Sequence, residues 1–148
     1  MVIRCNYENA LHLHGGYYAV SYWDKCKSCY CYNVIDRFGK LLSEEWFRDV
    51  VYFTTVDDKA YFLVQRGSGT SRRYNIMDVN GAIMFDEWAN SISSPMSYGY
   101  SMLRNGNKCI IFDKDFNIVH CVESHSEWFL NYVDGYGILK SLRKGSVF

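Results

Sequence analysis

The stretch Tyr32–Phe47, YNVIDRFGKLLSEEWF, decides the fold because the chain uses it more than once. It returns as YNIMDVNGAIMFDEWA from Tyr74 and, more loosely, as CIIFDKDFNIVHCVESHSEWF from Cys109. Asp36 recurs as Asp78 and Asp113, and the pair Glu45, Trp46 recurs as Glu87, Trp88 and Glu127, Trp128. A period of about 40 residues marks one supersecondary unit used repeatedly. A tyrosine-led apolar segment precedes each copy: YYAVSYW from Tyr17, YFLVQRG from Tyr61 and YSMLRNG from Tyr100. A fourth, YGILKSL from Tyr136, has no completed partner.

Each copy reads as three short strands. The tyrosine segment and the YNVID segment are short, β-branched and aromatic, and a hairpin joins them. In the third copy Asn105 and Gly106 suit the positive φ angles of a type I′ turn. Gly39 and Gly81 supply the left-handed residue of the turn that follows Asp36 and Asp78. The third copy has Phe116 and Asn117 there, which predicts that Asn117 takes the left-handed position with a one-residue shift. KLL and AIM then form the third strand, and the Glu-Trp element is a helical turn or an irregular crossover. Its tryptophan is expected to fill the gap between neighbouring copies.

The expected protein is therefore all-β, a tandem array of antiparallel hairpin repeats with three full units at about 16–58, 59–97 and 98–134. Residues 1–15 act as an N-terminal cap, and 135–148 are an incomplete fourth unit. The strands YNVID and YNIMD are apolar on both faces, so neighbours cover them, as in a curved solenoid or a partial propeller-like array.

Composition agrees with one ordered domain: hydrophobic residues are 49% and aromatics 18%, with 13 tyrosines and a single proline among 148 residues. Basic and acidic residues are 16 each, so net charge gives no general attraction to nucleic acid or anionic membrane. The N-terminal MVIRCNYENALHLHGG has no export-type apolar run, and no segment reaches the roughly 18 apolar residues of a membrane span. A soluble, cytoplasmic protein with reduced thiols is expected.

The pattern of a GY-led strand, YN(V/I)(I/M)DxxGK and then EWF resembles the WG β-repeat family, in the variant YNFIDxxGKLLSxxWF found in proteins of gut bacteria and their phages. The resemblance runs from about Gly16 to Tyr136. It is good in the first copy, fair in the second and loose in the third. It implies tandem antiparallel β units and no shared catalytic residues. It also implies a phage-encoded or bacterial factor acting on host machinery, for example an inhibitor of a defence system, in the host cytoplasm if phage-encoded.

Three kinds of site can be weighed from the residues. Cys26 and Cys29 have the CxxC spacing of a zinc knuckle and Cys31 follows, which makes them the metal candidates. A knuckle is half a site, and the remaining donors would come from Cys5, His12, His14, His120, Cys121 or His125, with no second CxxC or HxxxH among them. His12 and His14 share a face if their segment is a strand. The repeat does not need the cysteines, since the other copies fill that loop with RGSGTSRR and RNGNK, and a reduced hairpin loop is the preferred reading. No phosphate-binding glycine loop, nucleophile elbow or Cys-His pair stands out, and Asp36, Asp78 and Asp113 each precede a turn whose backbone they can bind. No catalytic residue and no cofactor is expected.

Charge is sorted by sign along the copies. Ten of the 16 basic residues fall in or beside the hairpin loops: Lys25 and Lys27; Arg66, Arg72 and Arg73; Arg104 and Lys108; and Lys140, Arg143 and Lys144. Ten of the 16 acidic residues cluster around the Trp elements and the crossovers, among them Glu44, Glu45, Asp57, Asp58, Asp86 and Glu87. Stacked units would carry a basic rim and an acidic rim. The basic hairpin ends are the expected binding residues of a non-enzymatic protein, with an acidic protein surface as first partner. A sequestered anionic nucleotide or nucleic acid is the alternative, and a metal-dependent enzyme ranks third.

Overall fold

A computed structural model describes residues 7–93, 95 and 99–123. The chain divides into two compact blocks, Met1–Trp88 and Ala89–Phe148. The first block holds two antiparallel three-stranded sheets: β1 (Asn9–His14), β2 (Tyr17–Asp24) and β3 (Cys29–Ile35), then β4 (Asp49–Val56), β5 (Lys59–Arg66) and β6 (Arg73–Met77). In both sheets the tyrosine-led strand is central. The second block holds β7 (Ser91–Ile92), β8 (Ser101–Asn105), β9 (Lys108–Phe112) and β10 (Ile118–Glu123), in the spatial order β10-β9-β8-β7. The described residues contain no α-helix, so the protein is all-β, with three open antiparallel sheets and no closed barrel among them. No helix is long and apolar enough to cross a membrane among the described residues.

The expected third strand is not one in the first two copies. KLL and AIM contribute only isolated pairs, Ile35 with Leu41 and Met77 with Ile83. The third strand of each first-block sheet comes instead from the segment before the tyrosine strand, β1 and β4. The physical reason is Asn33. It is fully buried, and its Nδ2 donates to the carbonyls of Ser43 at 2.8 Å and Glu45 at 3.1 Å while its Oδ1 accepts from the Val34 N–H at 2.8 Å. Leu42 still donates to the Val34 carbonyl, and Phe47 rejoins β3 opposite Tyr32, but residues 43–46 loop out around the amide. A side chain satisfies the backbone groups that a ladder would otherwise satisfy. Asn75 repeats the device, donating to the Phe85 carbonyl and accepting from the N–H groups of Ile76 and Phe85.

The third copy has Ile110 where the others have asparagine. With no amide to hold a loop open, the chain after the turn stays on the ladder, and β10 pairs with β9 from Ile118 opposite Phe112 to Glu123 opposite Lys108. The Glu-Trp element, where described, is an irregular crossover rather than a helical turn.

The aspartate turns behave as their sequence implies. Asp36 Oδ1 accepts from the N–H groups of Phe38 and Lys40, Asp78 from Asn80 and Ala82, and Asp113 from Asp115 and Asn117. Gly39 and Gly81 take the left-handed position at φ 82° and 80°. In the third turn Phe116, not Asn117, takes it at φ 65°, with no shift of register. The two N–H groups held by Asp113, with the bond from Phe116 N–H to the Asp113 carbonyl, fix the spacing. Stacking of Phe116 on Phe112, 5.9 Å between ring centroids, offsets part of the left-handed cost. The third hairpin also differs by one residue: Asn105 pairs with Lys108, so Gly106 and Asn107 form the turn. Only Gly106 has positive φ, the pattern of type II′ rather than I′.

The two sheets of the first block share one core, built from Val34, Phe47, Val50, Phe62, Val64 and Met77 with Tyr17, Tyr32, Leu42 and Trp88 packed around it. Phe62 is completely buried and meets the edge of Tyr17 at 5.5 Å between centroids. Burial of such a ring contributes about 2–3 kcal/mol. Val34 and Ile35 point to opposite faces and are both fully buried, as the two-faced apolar pattern of YNVID requires.

Candidate functional site

The crossover that Asn33 holds delivers Glu45, Trp46, Phe47 and Arg48 to the seam between the two sheets of the first block. Arg66, the last residue of β5, meets them there. Its Nε and Nη2 each donate to a Glu45 carboxylate oxygen at 2.6 Å, a bidentate pair. The guanidinium carbon lies 3.9 Å from the centroid of Trp88, so the cation is clamped between a carboxylate and a ring face. Trp88 also lies against Phe47, at 6.3 Å between centroids, so this tryptophan joins the first copy to the second. Trp46 packs edge-on against Tyr22 of its own sheet at 4.9 Å.

Beside this clamp is a cleft of about 330 Å³. Lys27 from the β2–β3 turn and Arg66 and Gly67 from the end of β5 line it together, with Cys29, Cys31, Arg48 and Trp46. Hairpin ends of the first and second copies thus meet at one opening. Sorting of charge by sign is incomplete along β5, which follows Asp57 and Asp58 but carries a cation at each end, Lys59 and Arg66. Glu45 takes up Arg66. Three cations and one carboxylate remain as the charged lining of the cleft.

Of the other expected binding residues, Lys25 is exposed on the same turn as Lys27. Arg72 is exposed, and Arg73 opens β6, its Nη1 donating to the Arg72 carbonyl at 2.7 Å. Arg104 and Lys108 flank the β8–β9 hairpin in the second block. Lys140, Arg143 and Lys144 lie outside the described residues. Arg48, Glu45 and the two tryptophans were not singled out as site residues in the sequence. Nothing in a 21-residue separation announces the Glu45–Arg66 pair.

The cysteines separate by environment. Cys26 is exposed on the turn, where Asp24 Oδ1 accepts its N–H and that of Lys27. Cys29 and Cys31 are buried at 5% and 2% exposure. Burial, and then the adjacent Cys29, push the Cys31 thiol up. No group of three or more His, Cys, Asp or Glu that would hold a metal exists among the described residues, so the half-knuckle finds no second half there. Cys5 and His125 lie outside them. His12 and His14 are separated by a register irregularity in β1. His12 Nε2 bonds with the Gly15 carbonyl at 2.8 Å, whereas His14 stacks on Tyr52 at 4.3 Å and reaches Thr55. The two rings do not act as a pair.

Cys109 in β9 is 1% exposed, and burial pushes its thiol above the ordinary value of 9.0. The fold favours the neutral thiol, so its contribution to stability is whole below pH 9.0 and is lost as pH rises through the raised value. The unfolding free energy, measured from about pH 8 to about pH 11, is expected to fall less steeply for Cys109→Ala than for the wild type. Alkylation at neutral pH should modify exposed Cys26 and Cys121 before Cys109. Equal alkylation rates would contradict this assignment.

Searches of family models, curated proteins and solved structures return no match to this chain.

Proposed function

We propose that this chain is a tandem array of antiparallel hairpin repeats of WG type, a curved solenoid or partial propeller, and that it works as a non-enzymatic binding protein. Its partner is another macromolecule that presents an acidic segment to the basic hairpin ends. The observation that carries the reading is the cleft itself: Lys27, Arg48 and Arg66 come from three different segments and line one opening beside Trp46. Arg66 is held rigid by Glu45 and Trp88, so it offers an ordered cationic wall at little further entropic cost. Exposed lysines around it steer an anion and weaken with salt. On the resemblance described above, the partner belongs to host machinery met in the cytoplasm.

A poly-glutamate peptide serves as the test probe, with a panel of nucleotides in parallel. Peptide binding is expected to weaken about tenfold or more in Lys27→Glu/Arg48→Glu and in Arg72→Glu/Arg73→Glu, with the melting temperature unchanged. Unaltered binding in both double variants would sink the reading. A nucleotide that raises the melting temperature by several degrees while the peptide is inert would favour the sequestration alternative.

A further inference from the structure

We propose that Cys29 and Cys31 form a two-thiol site for a thiophilic metal ion, Cu(I) in class, inside the cleft at the seam of the first block. β3 starts at Cys29, and alternation along the strand puts Cys29 and Cys31 on one face with Tyr30 on the other. Both thiols line the cleft although each is almost completely shielded from bulk water. Two buried sulfurs on one face of one strand, two residues apart and lining the same opening, are a donor pair for a soft ion.

The pair differs from the other described cysteines. The Cys109 thiol is directed at the Met102 sulfur, 3.2 Å away, and Cys26 and Cys121 are exposed. Cys26 is also absent from the lining of the cleft, although it begins the CxxC spacing. The relevant motif is therefore the Cys-x-Cys of a strand, not the CxxC of a knuckle. That change of donor set changes the ion. Zinc in structural sites wants four ligands in a tetrahedron, whereas thiolates select Cu(I), an ion satisfied by few, soft donors.

Charge supports the same assignment. On binding, each thiol releases one proton to solvent, and a monovalent ion held by two thiolates carries one net negative charge. Lys27, Arg48 and Arg66 face it, with Glu45 the single carboxylate in the lining. Trp46 and Phe47 close the wall and keep water from the sulfur atoms.

The test supplies Cu(I), without oxygen, as its complex with a coloured competing chelator. The wild-type chain is expected to withdraw one equivalent of the ion. Cys29→Ser and Cys31→Ser should each lose about 100-fold or more in affinity, since even outer partners of metal ligands cost about 10–100-fold. Cys26→Ser should stay within about threefold, as expected for a residue outside the donor set. X-ray absorption on the wild-type copper complex makes the test independent of whether the buried variants fold, and two sulfur neighbours are expected. Failure of the wild type to compete for Cu(I), full retention by Cys29→Ser, or a coordination shell of nitrogen and oxygen would each overturn the assignment.

Discussion

Replacing Asn33 by leucine is expected to lower the unfolding free energy by at least about 3 kcal/mol, the lower end of about 1–3 kcal/mol for each of three backbone groups left without a partner. The Ser43 and Glu45 carbonyls lose their donor, and the Val34 N–H loses its acceptor. Leucine has the same branched skeleton of heavy atoms but bulkier ends, so any overpacking adds to the loss of hydrogen bonds. Asn33→Asp keeps the acceptor but sets a carboxylate against two carbonyl oxygens in a dry site, so at neutral pH it should lose at least as much as leucine. Urea denaturation followed by tryptophan fluorescence measures the series, and a loss below about 1 kcal/mol for leucine would show that water replaces the amide at little cost. The effect reaches the cleft as well. Residues 43–46 are positioned by Asn33, so the Glu45–Arg66 clamp should loosen in the leucine variant even where the sheet survives.

Gly81→Ala should be more damaging than Gly39→Ala, although the two glycines occupy the same turn position at nearly equal φ. A Cβ on Gly39 meets nothing within 4 Å, so alanine there pays only the left-handed penalty of about 1–2 kcal/mol. A Cβ on Gly81 would run into the Leu42 carbonyl oxygen, a backbone atom that cannot turn aside as a side chain can. The turn of the second copy is thus seated on the crossover of the first, and alanine must force them apart. Overpacking adds about 1–3 kcal/mol to the conformational penalty, enough to bring the total to about 4 kcal/mol or to prevent folding. Thermal denaturation of the two variants decides the matter: equal shifts would mean that the seam yields without cost.

The turns were the most legible part of the chain, because their chemistry is local. Asp36, Asp78 and Asp113 act through N–H groups two and four residues away, and a three- to five-residue window contains the whole argument. The tyrosine strands and their YNVID partners were legible for the same reason. The third strand was misplaced because Asn33 and Asn75 were read as strand residues and not as buried amides. A strand-forming KLL then had no visible reason to leave the ladder. The missing strand had a signal of its own, since VVYFTTV at Val50–Val56 is a β-branched and aromatic run of the ordinary kind.

The candidate site was less legible because it is assembled across sheets. Lys27 and Arg66 were expected as binding residues on the strength of their loops, but Arg48 and Trp46 reach the same cleft only through the path of the crossover. Glu45, counted among the acidic residues of an opposite rim, lies on the basic side instead. Burial of Cys29 and Cys31 likewise depends on which face of β3 the seam covers.

The exchange of asparagine for Ile110 amounts to a punctuation mark. Where the amide is present, the chain is released from its own sheet after one turn and goes on to found the next. Where an aliphatic side chain stands, the chain runs back along the strand it has just made. The side chain at this one position in each copy thus marks whether the segment after the turn leaves its sheet or stays on the ladder.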